Sequence, residues 1–143
     1  MITSGSLGDY YAKISNLVNY PSSWEIPNQI TSNNRKYRVT RLETIINDTD
    51  INADKLKTWR NDWESYGRNT KLNDVYISNT LPIFEIDNYF FYYTQDTNFY
   101  LPDTISKMGH KVFNSTSKVY LEGEPKTTWP ADWSNGAEVV THY

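Results

Sequence analysis

The segment LPDTISKMGHKVF, residues 101–113, limits the possible fold of this chain more than any other stretch. Pro102 fixes φ and cannot donate a backbone hydrogen bond, so it ends a strand at Leu101. Gly109 permits a positive φ within a tight coil or a single helical turn. Four residues can point inward from that coil: Ile105, Met108, Val112 and Phe113. A polar turn, NSTS, and a new strand, VYL, complete what the pattern predicts to be one winding of a solenoid.

Candidate strands recur along the C-terminal half at an interval typical of repeat proteins. They begin at Val75, Phe99 and Val119, so their starts are 24 and 20 residues apart. Both intervals lie within the roughly 20–29-residue period of leucine-rich repeats. The spacing predicts parallel pairing between the strands at 99–101 and 119–121.

This winding resembles the BspA-like class of leucine-rich repeats. That class repeats an Ile-Pro, a Val or Ile, an Ile-Gly and an Ala-Phe, followed by a polar turn and a strand. The matching residues are Leu101-Pro102, Ile105, Met108-Gly109, Val112-Phe113 and Val119-Tyr120-Leu121. The tail from Lys118 onward looks like the end of such an array, and EIPNQITSNNRKYRVTRLETI is similar to the family's Ile-Pro start. The resemblance implies binding and adhesion through a repeat surface and supplies no catalytic residues.

The N-terminal half has its clearest signal at residues 53–66. Leu56, Trp59, Trp63 and Tyr66 share one face of a 3.6-residue period, which predicts an amphipathic helix. Weaker patterns predict a helix over 9–19, a strand pair over 26–30 and 37–42 with a turn at Asn33-Asn34, and a hairpin at Asp87-Asn88.

Together these patterns predict a single α+β domain over residues 1–143. An irregular N-terminal cap, residues 1–72, carries the amphipathic helix, and residues 73–143 form a short leucine-rich-repeat-like β-solenoid. A meander of antiparallel strands with one appended repeat is the competing fold.

Aromatic side chains dominate the composition. The chain has 5 Trp, 12 Tyr and 5 Phe, and such residues are favoured at binding surfaces. The net charge of −3 makes nucleic acid an unlikely partner, and the absence of cysteine excludes disulfides and thiolate zinc sites. No signal peptide or membrane span is visible, so we expect a soluble protein that is cytoplasmic, virion-associated or exported by a non-classical route.

Two motifs share the pattern Thr-Trp-x-x-Asp-Trp, TWRNDW at 58–63 and TWPADW at 128–133. One interpretation is a duplication whose Trp pairs, including Trp129 and Trp133, form sugar-binding platforms. The other is core packing, which is the commoner role of such residues.

Charged and titratable residues give no strong signal of metal binding or catalysis. The DTDINAD segment, 48–54, alternates acidic residues as an EF-hand loop does, but it lacks the required Gly, and helix capping explains it as well. The basic cluster over 35–41 fits the polar face of a strand. His110 and His142 are the only histidines, and no phosphate loop or nucleophile elbow is present. We expect no catalytic residues, no metal site and no cofactor.

The run DNYFFYYTQDTNFY, residues 87–100, is the strongest candidate for a binding site. Alternate residues of a strand face opposite sides of its sheet, which here would separate Tyr89, Phe91 and Tyr93 from Phe90 and Tyr92. A sheet with one buried face would expose one of these sets, and exposed aromatic patches usually mark interfaces. A strand buried on both faces is an equal alternative.

These observations predict a non-catalytic module that binds a protein or a surface glycan through an aromatic-rich β surface. The residues expected to contact the partner are Tyr89, Phe91, Tyr93, Trp129 and Trp133. Alternatives are a structural component of a phage particle or other assembly, which would form an oligomer, and a small phage-type inhibitor of a host protein.

Overall fold

The structure, a computed structural model, describes residues 11–14, 22–26, 29–43, 53–69, 71–77 and 84–143. These residues form ten strands and one helix. The elements are β1 (Tyr11–Ile14), β2 (Ser23–Ile26), β3 (Gln29–Ser32), β4 (Arg35–Leu42), α1 (Ala53–Asn69), β5 (Asp74–Ile77), β6 (Phe84–Ile86), β7 (Asn98–Leu101), β8 (Ile105–Met108), β9 (Lys118–Leu121) and β10 (Glu138–Val140).

The strands form two sheets that are mainly parallel. Sheet 1 has the order β2-β5-β7-β9-β10, and every neighbouring pair in it is parallel. Sheet 2 has the parallel order β1-β4-β6-β8, with β3 pairing β4 in antiparallel fashion. From β4 onward the chain alternates between the sheets as far as β9. Within sheet 1, strands that follow one another along the chain are also neighbours in the sheet.

The hairpin between β3 and β4 follows directly from its turn residues. Asn33 and Asn34 have φ of 52° and 62°, and two consecutive positive φ angles are the signature of a type I′ turn. Asn is among the few residue types that tolerate this backbone region. The predicted strand pair and its turn are confirmed.

One hydrophobic core joins the two sheets and the helix. Its cluster contains Val75, Phe99 and Val119 from sheet 1, Val39 from sheet 2, and Trp59 from α1, all completely buried. Along the three central strands of sheet 1, β5, β7 and β9, the inward residues are buried, whereas the residues between them are only partly covered or exposed. Sheet 1 thus has one packed face and one accessible face.

The predicted fold class is wrong. The predicted N-terminal cap is not irregular, because β1, β2 and β4 are members of the two parallel sheets. Two mainly parallel sheets with one helix give an α/β-like arrangement in place of an α+β fold with a β-solenoid in the C-terminal half. The parallel pairing predicted between 99–101 and 119–121 is confirmed, with Phe99 opposite Val119 and Tyr100 opposite Tyr120.

Helix α1 is confirmed and extends from Ala53 to Asn69. The helix predicted over 9–19 is wrong where the structure describes it, because residues 11–14 form β1 and pair with β4. The rest of that segment lies outside the described residues.

Three local predictions in the C-terminal half are wrong. Asp87-Asn88 does not close a hairpin, because β6 pairs in parallel with β4 and β8. Residues 105–108 form a strand where a coil or helical turn was expected. Gly109 does not have a positive φ. A Cβ at Gly109 would instead collide with the backbone of Asn88 and lie 2.6 Å from the Asp87 carbonyl carbon, so close packing of two chain segments requires glycine here.

Candidate functional site

Most of the residues predicted to bind a partner lie in the core. Phe91 is completely buried, and Tyr89, Trp129 and Trp133 are each less than one tenth exposed. A partner at the surface cannot reach these side chains without rearrangement of the core. Of the five predicted residues, Tyr93 alone is partly exposed.

Residues 89–93 do not form the predicted strand because they are held in turns by contacts with α1. The indole Nε1 groups of Trp59 and Trp63 both donate to the carbonyl of Phe90, at 3.2 and 2.9 Å, and Trp59 also donates to the Tyr89 carbonyl at 2.9 Å. Tyr89 has φ of 61°, and Phe91 forms a single parallel bridge with Phe113. Phe90 and Phe91 are both completely buried, so the alternation expected of a strand is absent.

Both Thr-Trp-x-x-Asp-Trp motifs place their Trp pairs in the core, as the packing interpretation predicts. Trp59 and Trp63 meet edge to face, with ring centroids 6.2 Å apart. Trp129 and Trp133 do the same at 5.1 Å, and Trp133 also contacts Phe113. The local backbone of the two motifs differs, since the first motif lies on α1 and the second lies in turns.

Tyr93 lines an open cleft of about 310 Å³ beside the C-terminal part of α1. Lys71 lies at the cleft, but its ammonium donates to three backbone carbonyls, those of Leu72, Gln95 and Asp96. Burial raises the pKa of Tyr93, and the neighbouring Tyr92 adds to this effect. The lysine of the cleft is therefore already used to hold the chain together, and Glu64, which also lines the cleft, forms an ion pair with Arg60.

The accessible face of sheet 1 carries a tyrosine ladder, which we define as Tyr76, Tyr100 and Tyr120. The rings of Tyr76 and Tyr100 stack with centroids 4.6 Å apart and planes 7° apart. Tyr100 and Tyr120 stack at 4.9 Å with the same angle. These distances are close to the spacing of neighbouring strands in a sheet, about 4.8 Å. The ladder thus follows the sheet across β5, β7 and β9.

The sequence produces the ladder by alternation and parallel register. Each tyrosine is the central residue of a triplet whose outer members are buried, VYI, FYL and VYL. Because side chains alternate along a strand, the central residue must point to the opposite face. The parallel register then places Tyr76 opposite Tyr100 and Tyr100 opposite Tyr120.

The C-terminal residue, Tyr143, extends the aromatic surface. Its ring contacts those of Tyr100 and Tyr120 at centroid distances of 5.7 and 5.6 Å. Tyr143 is 55% exposed and Tyr76 is 40% exposed, and these two are the large hydrophobic residues most open to solvent in the described part of the chain. The ladder with Tyr143 is therefore the accessible aromatic surface that this part of the structure provides.

Burial and nearby negative charge raise the pKa of two phenols on this surface, those of Tyr100 and Tyr143. Burial raises the pKa of Tyr100, and Asp74 and the other tyrosines add to the rise. Burial and the carboxylate of Glu122 raise the pKa of Tyr143 in the same way. Near neutral pH these hydroxyls can both donate and accept hydrogen bonds.

Most of the charged residues at the outward positions beside the ladder are acidic. Glu25 of β2 lies opposite Tyr76. A second row of outward-facing residues, two positions before the ladder row on each strand, contains Asp74, Asn98, Lys118 and Glu138. Lys118 forms an ion pair with Glu138 at 3.5 Å, and its Nζ lies 5.2 Å from the centroid of the Tyr120 ring. Its hydrogen bond with Tyr120 and the charge of Glu138 raise the pKa of Lys118.

Other charged groups in the described residues form pairs at separate places. His110 Nδ1 lies 2.8 Å from Asp132, and His142 Nε2 lies 3.2 Å from Glu124, both in exposed positions. Arg41 of the basic cluster makes two hydrogen bonds to the carboxylate of Asp87, which fits the structural interpretation of that cluster.

Within the described ranges, no group of three or more His, Cys, Asp or Glu side chains is arranged to hold a metal ion. None of the described helices is long and apolar enough to cross a membrane. Most of the DTDINAD segment lies outside the described residues.

No protein-family model, curated protein or solved structure matches this chain. The resemblance to BspA-like repeats therefore remains a prediction. The ladder is absent from the predicted site residues, although the sequence carries a signal for it: Tyr76, Tyr100 and Tyr120 each occupy the centre of one of the three regularly spaced strands. As the outward residue of an apolar triplet, each of them is predictable from the alternation of a strand.

Proposed function

We propose that this chain is a non-catalytic binding module that recognises a segment of another protein through the tyrosine ladder. The observation that carries this proposal is the stack of three tyrosines on the accessible face of a sheet whose other face is packed. Tyrosine is enriched among residues that carry interface energy, because it offers a large rigid surface with one polar group.

The ladder is preorganised for binding. Each ring is held by its neighbours and by a strand whose flanking residues are buried, so little side-chain entropy is lost when a partner binds. The hydroxyls and ring edges of the three tyrosines form a row, in which neighbouring members are about as far apart as neighbouring strands of a sheet. Such a row suits an extended segment that crosses the strands.

A protein segment fits this surface better than a glycan does. Sugars typically bind aromatic residues by lying flat against a ring face. Here Tyr100, the central ring, has a ring stacked on each of its faces, so the ladder offers a sugar no continuous row of open ring faces. A glycan is therefore the competing outcome of the test.

The test compares the wild type with a Tyr76→Ser/Tyr100→Ser variant on a displayed random-peptide library and on a glycan array. Tyr93→Ser is the matched control, since it removes one partly exposed tyrosine at the cleft beside α1. We expect peptides selected on the wild type to lose at least about tenfold in affinity for the ladder variant and to keep their affinity for the control.

Thermal unfolding of each variant must remain cooperative for the comparison to be valid. Peptides that bind the ladder variant as well as the wild type would overturn the proposal, as would peptides lost only with Tyr93→Ser. Selective glycan binding that depends on the ladder would replace the protein partner with a glycan.

A further inference from the structure

The two ends of the tyrosine ladder differ in charge. At the Tyr120 end, Lys118 lies over the ring and is paired with Glu138 of the neighbouring strand β10. A cation, an aromatic ring and a carboxylate are thus brought together by the chain itself. At this end of the ladder, the ring already has a cation and the cation already has a carboxylate, both from the same chain.

The Tyr76 end has the ring and the carboxylates but no cation at the equivalent positions. Tyr100 covers one face of the Tyr76 ring, and β2 lies on the other side of β5. Glu25 of β2 is the register partner of Tyr76, and Asp74 occupies the preceding outward position of β5, opposite Ser23. The outward positions of β2 and β5 therefore carry Ser23, Glu25, Asp74 and Tyr76, and none of these is basic.

We propose that the partner segment is basic, and that a Lys or Arg side chain from it binds the outer face of Tyr76 between the ring and Glu25. The inference rests on the proposed function of the ladder. At the Tyr76 end, the partner's cation would lie over the ring and pair with Glu25, as Lys118 lies over the Tyr120 ring and pairs with Glu138 at the other end. A cation over an aromatic face is attracted by the ring quadrupole, and a nearby carboxylate strengthens its binding.

Charge complementarity favours this partner over a neutral or acidic one. The ten outward positions of sheet 1 include three acidic residues, Glu25, Asp74 and Glu138, and one basic residue, Lys118. Lys118 is already paired with Glu138, so the charge left at the Tyr76 end is negative. The whole chain also has a net charge of −3, which would speed the approach of a basic segment.

The direct test uses fluorescently labelled peptides of equal length, one of alternating Arg and Ser and one with citrulline in place of each Arg. Citrulline keeps the shape of arginine and removes its charge. We expect the arginine peptide to bind the wild type and the citrulline peptide to bind at least fivefold more weakly, on the order of one cation–π contact with its carboxylate.

Two variants locate the site. Glu25→Gln and Tyr76→Leu should each weaken arginine-peptide binding by about fivefold. Glu64→Gln is the matched control, because it removes the same charge from the exposed surface of α1, where Glu64 pairs with Arg60. Amide chemical shifts that move in β2 and β5 would confirm the location.

The inference is overturned if the arginine peptide does not bind the wild type, if arginine and citrulline peptides bind equally, or if Glu25→Gln behaves like Glu64→Gln. Its failure can be told apart from failure of the proposed function. Library-selected peptides that need Tyr76 and Tyr100 but bind equally well without basic residues would leave the ladder as a binding site and remove the cation from it.

Discussion

The indole Nε1 of Trp63 donates a hydrogen bond of 2.9 Å to the carbonyl oxygen of Phe90, a residue 27 positions later in the chain. Trp59, one turn earlier on α1, donates to the same carbonyl and to that of Tyr89. All three bonds are buried, and the rings of Trp59 and Phe90 also meet at 5.2 Å. The helix therefore fixes the backbone of the aromatic turn by hydrogen bonds as well as by packing.

Replacing Trp63 with Phe should destabilise the fold by about 0.5–1.5 kcal/mol through the hydrogen bond alone, because the Phe90 carbonyl loses one indole donor and keeps the bond from Trp59. Trp129→Phe is the control. Trp129 is buried to a similar extent, but its Nε1 has no hydrogen-bond partner among the described residues, so only ring volume is lost. Urea unfolding of both variants measures the difference. Equal losses would show that the indole hydrogen bond of Trp63 contributes nothing to stability.

Gly109→Ala should destabilise the fold because the added Cβ would collide with backbone atoms of Asn88 and Asp87. Backbone atoms cannot move aside as a flexible side chain can, and overpacking of this kind costs about 1–3 kcal/mol. Gly67→Ala is the matched control. Its Cβ would meet nothing within 4 Å, and alanine favours a helix over glycine, so this variant should gain up to about 1 kcal/mol. A neutral Gly109→Ala would contradict the close approach of these segments.

The sequence predicted the elements whose signals are local. Helix α1 follows from the 3.6-residue period of Trp59, Trp63 and Tyr66, and β5, β7 and β9 follow from short apolar triplets between turns. The turn at Asn33-Asn34 follows from its residue types alone. In each case the pattern that determines the structure lies within a few residues.

The failures involve contacts that are distant in sequence. Five consecutive aromatic residues, 89–93, give no contrast between polar and apolar positions. Their conformation is determined by distant partners, which are the Trp donors of α1 and the backbone carbonyls of His110 and Val112. Tyr11–Ile14 shows helical spacing, yet pairing with β4 makes it a strand. The ladder required the register between strands 20 and more residues apart, which no single strand contains.

Alkaline pH should weaken the fold through Tyr66, which lies almost fully buried on α1. Burial raises the pKa of Tyr66 from an ordinary value near 10 to about 12. The folded state therefore holds this proton more tightly than the unfolded state does. The resulting stability is fully present below pH 10 and is lost as the pH rises through 12. Linkage puts the loss at roughly 2 kcal/mol.

Denaturant unfolding at neutral pH and at several values between pH 10 and 12 measures this effect. Tyr66→Phe cannot ionise, so the variant should lose less stability over that range than the wild type. The raised pKa values of Tyr93, Tyr100 and Tyr143 contribute to the pH dependence of both proteins, and the comparison cancels them. The same slope in both proteins would show that Tyr66 is not the group responsible.

Neighbouring residues of β7 should respond to substitution in opposite ways, because one faces the core and the other belongs to the ladder. Phe99 is completely buried and contacts Phe91 and Phe113, so Phe99→Ala should cost about 3–5 kcal/mol of stability. Tyr100→Ala loses mainly ring stacking with two neighbours, worth about 1 kcal/mol for each pair. The Tyr100 variant should therefore keep a cooperative unfolding transition close to that of the wild type while losing affinity for peptides that bind the ladder.

Urea unfolding and peptide binding on the same samples separate the two effects. If both substitutions unfolded the protein to the same extent, both faces of sheet 1 would be packed, and no partner could reach the ladder.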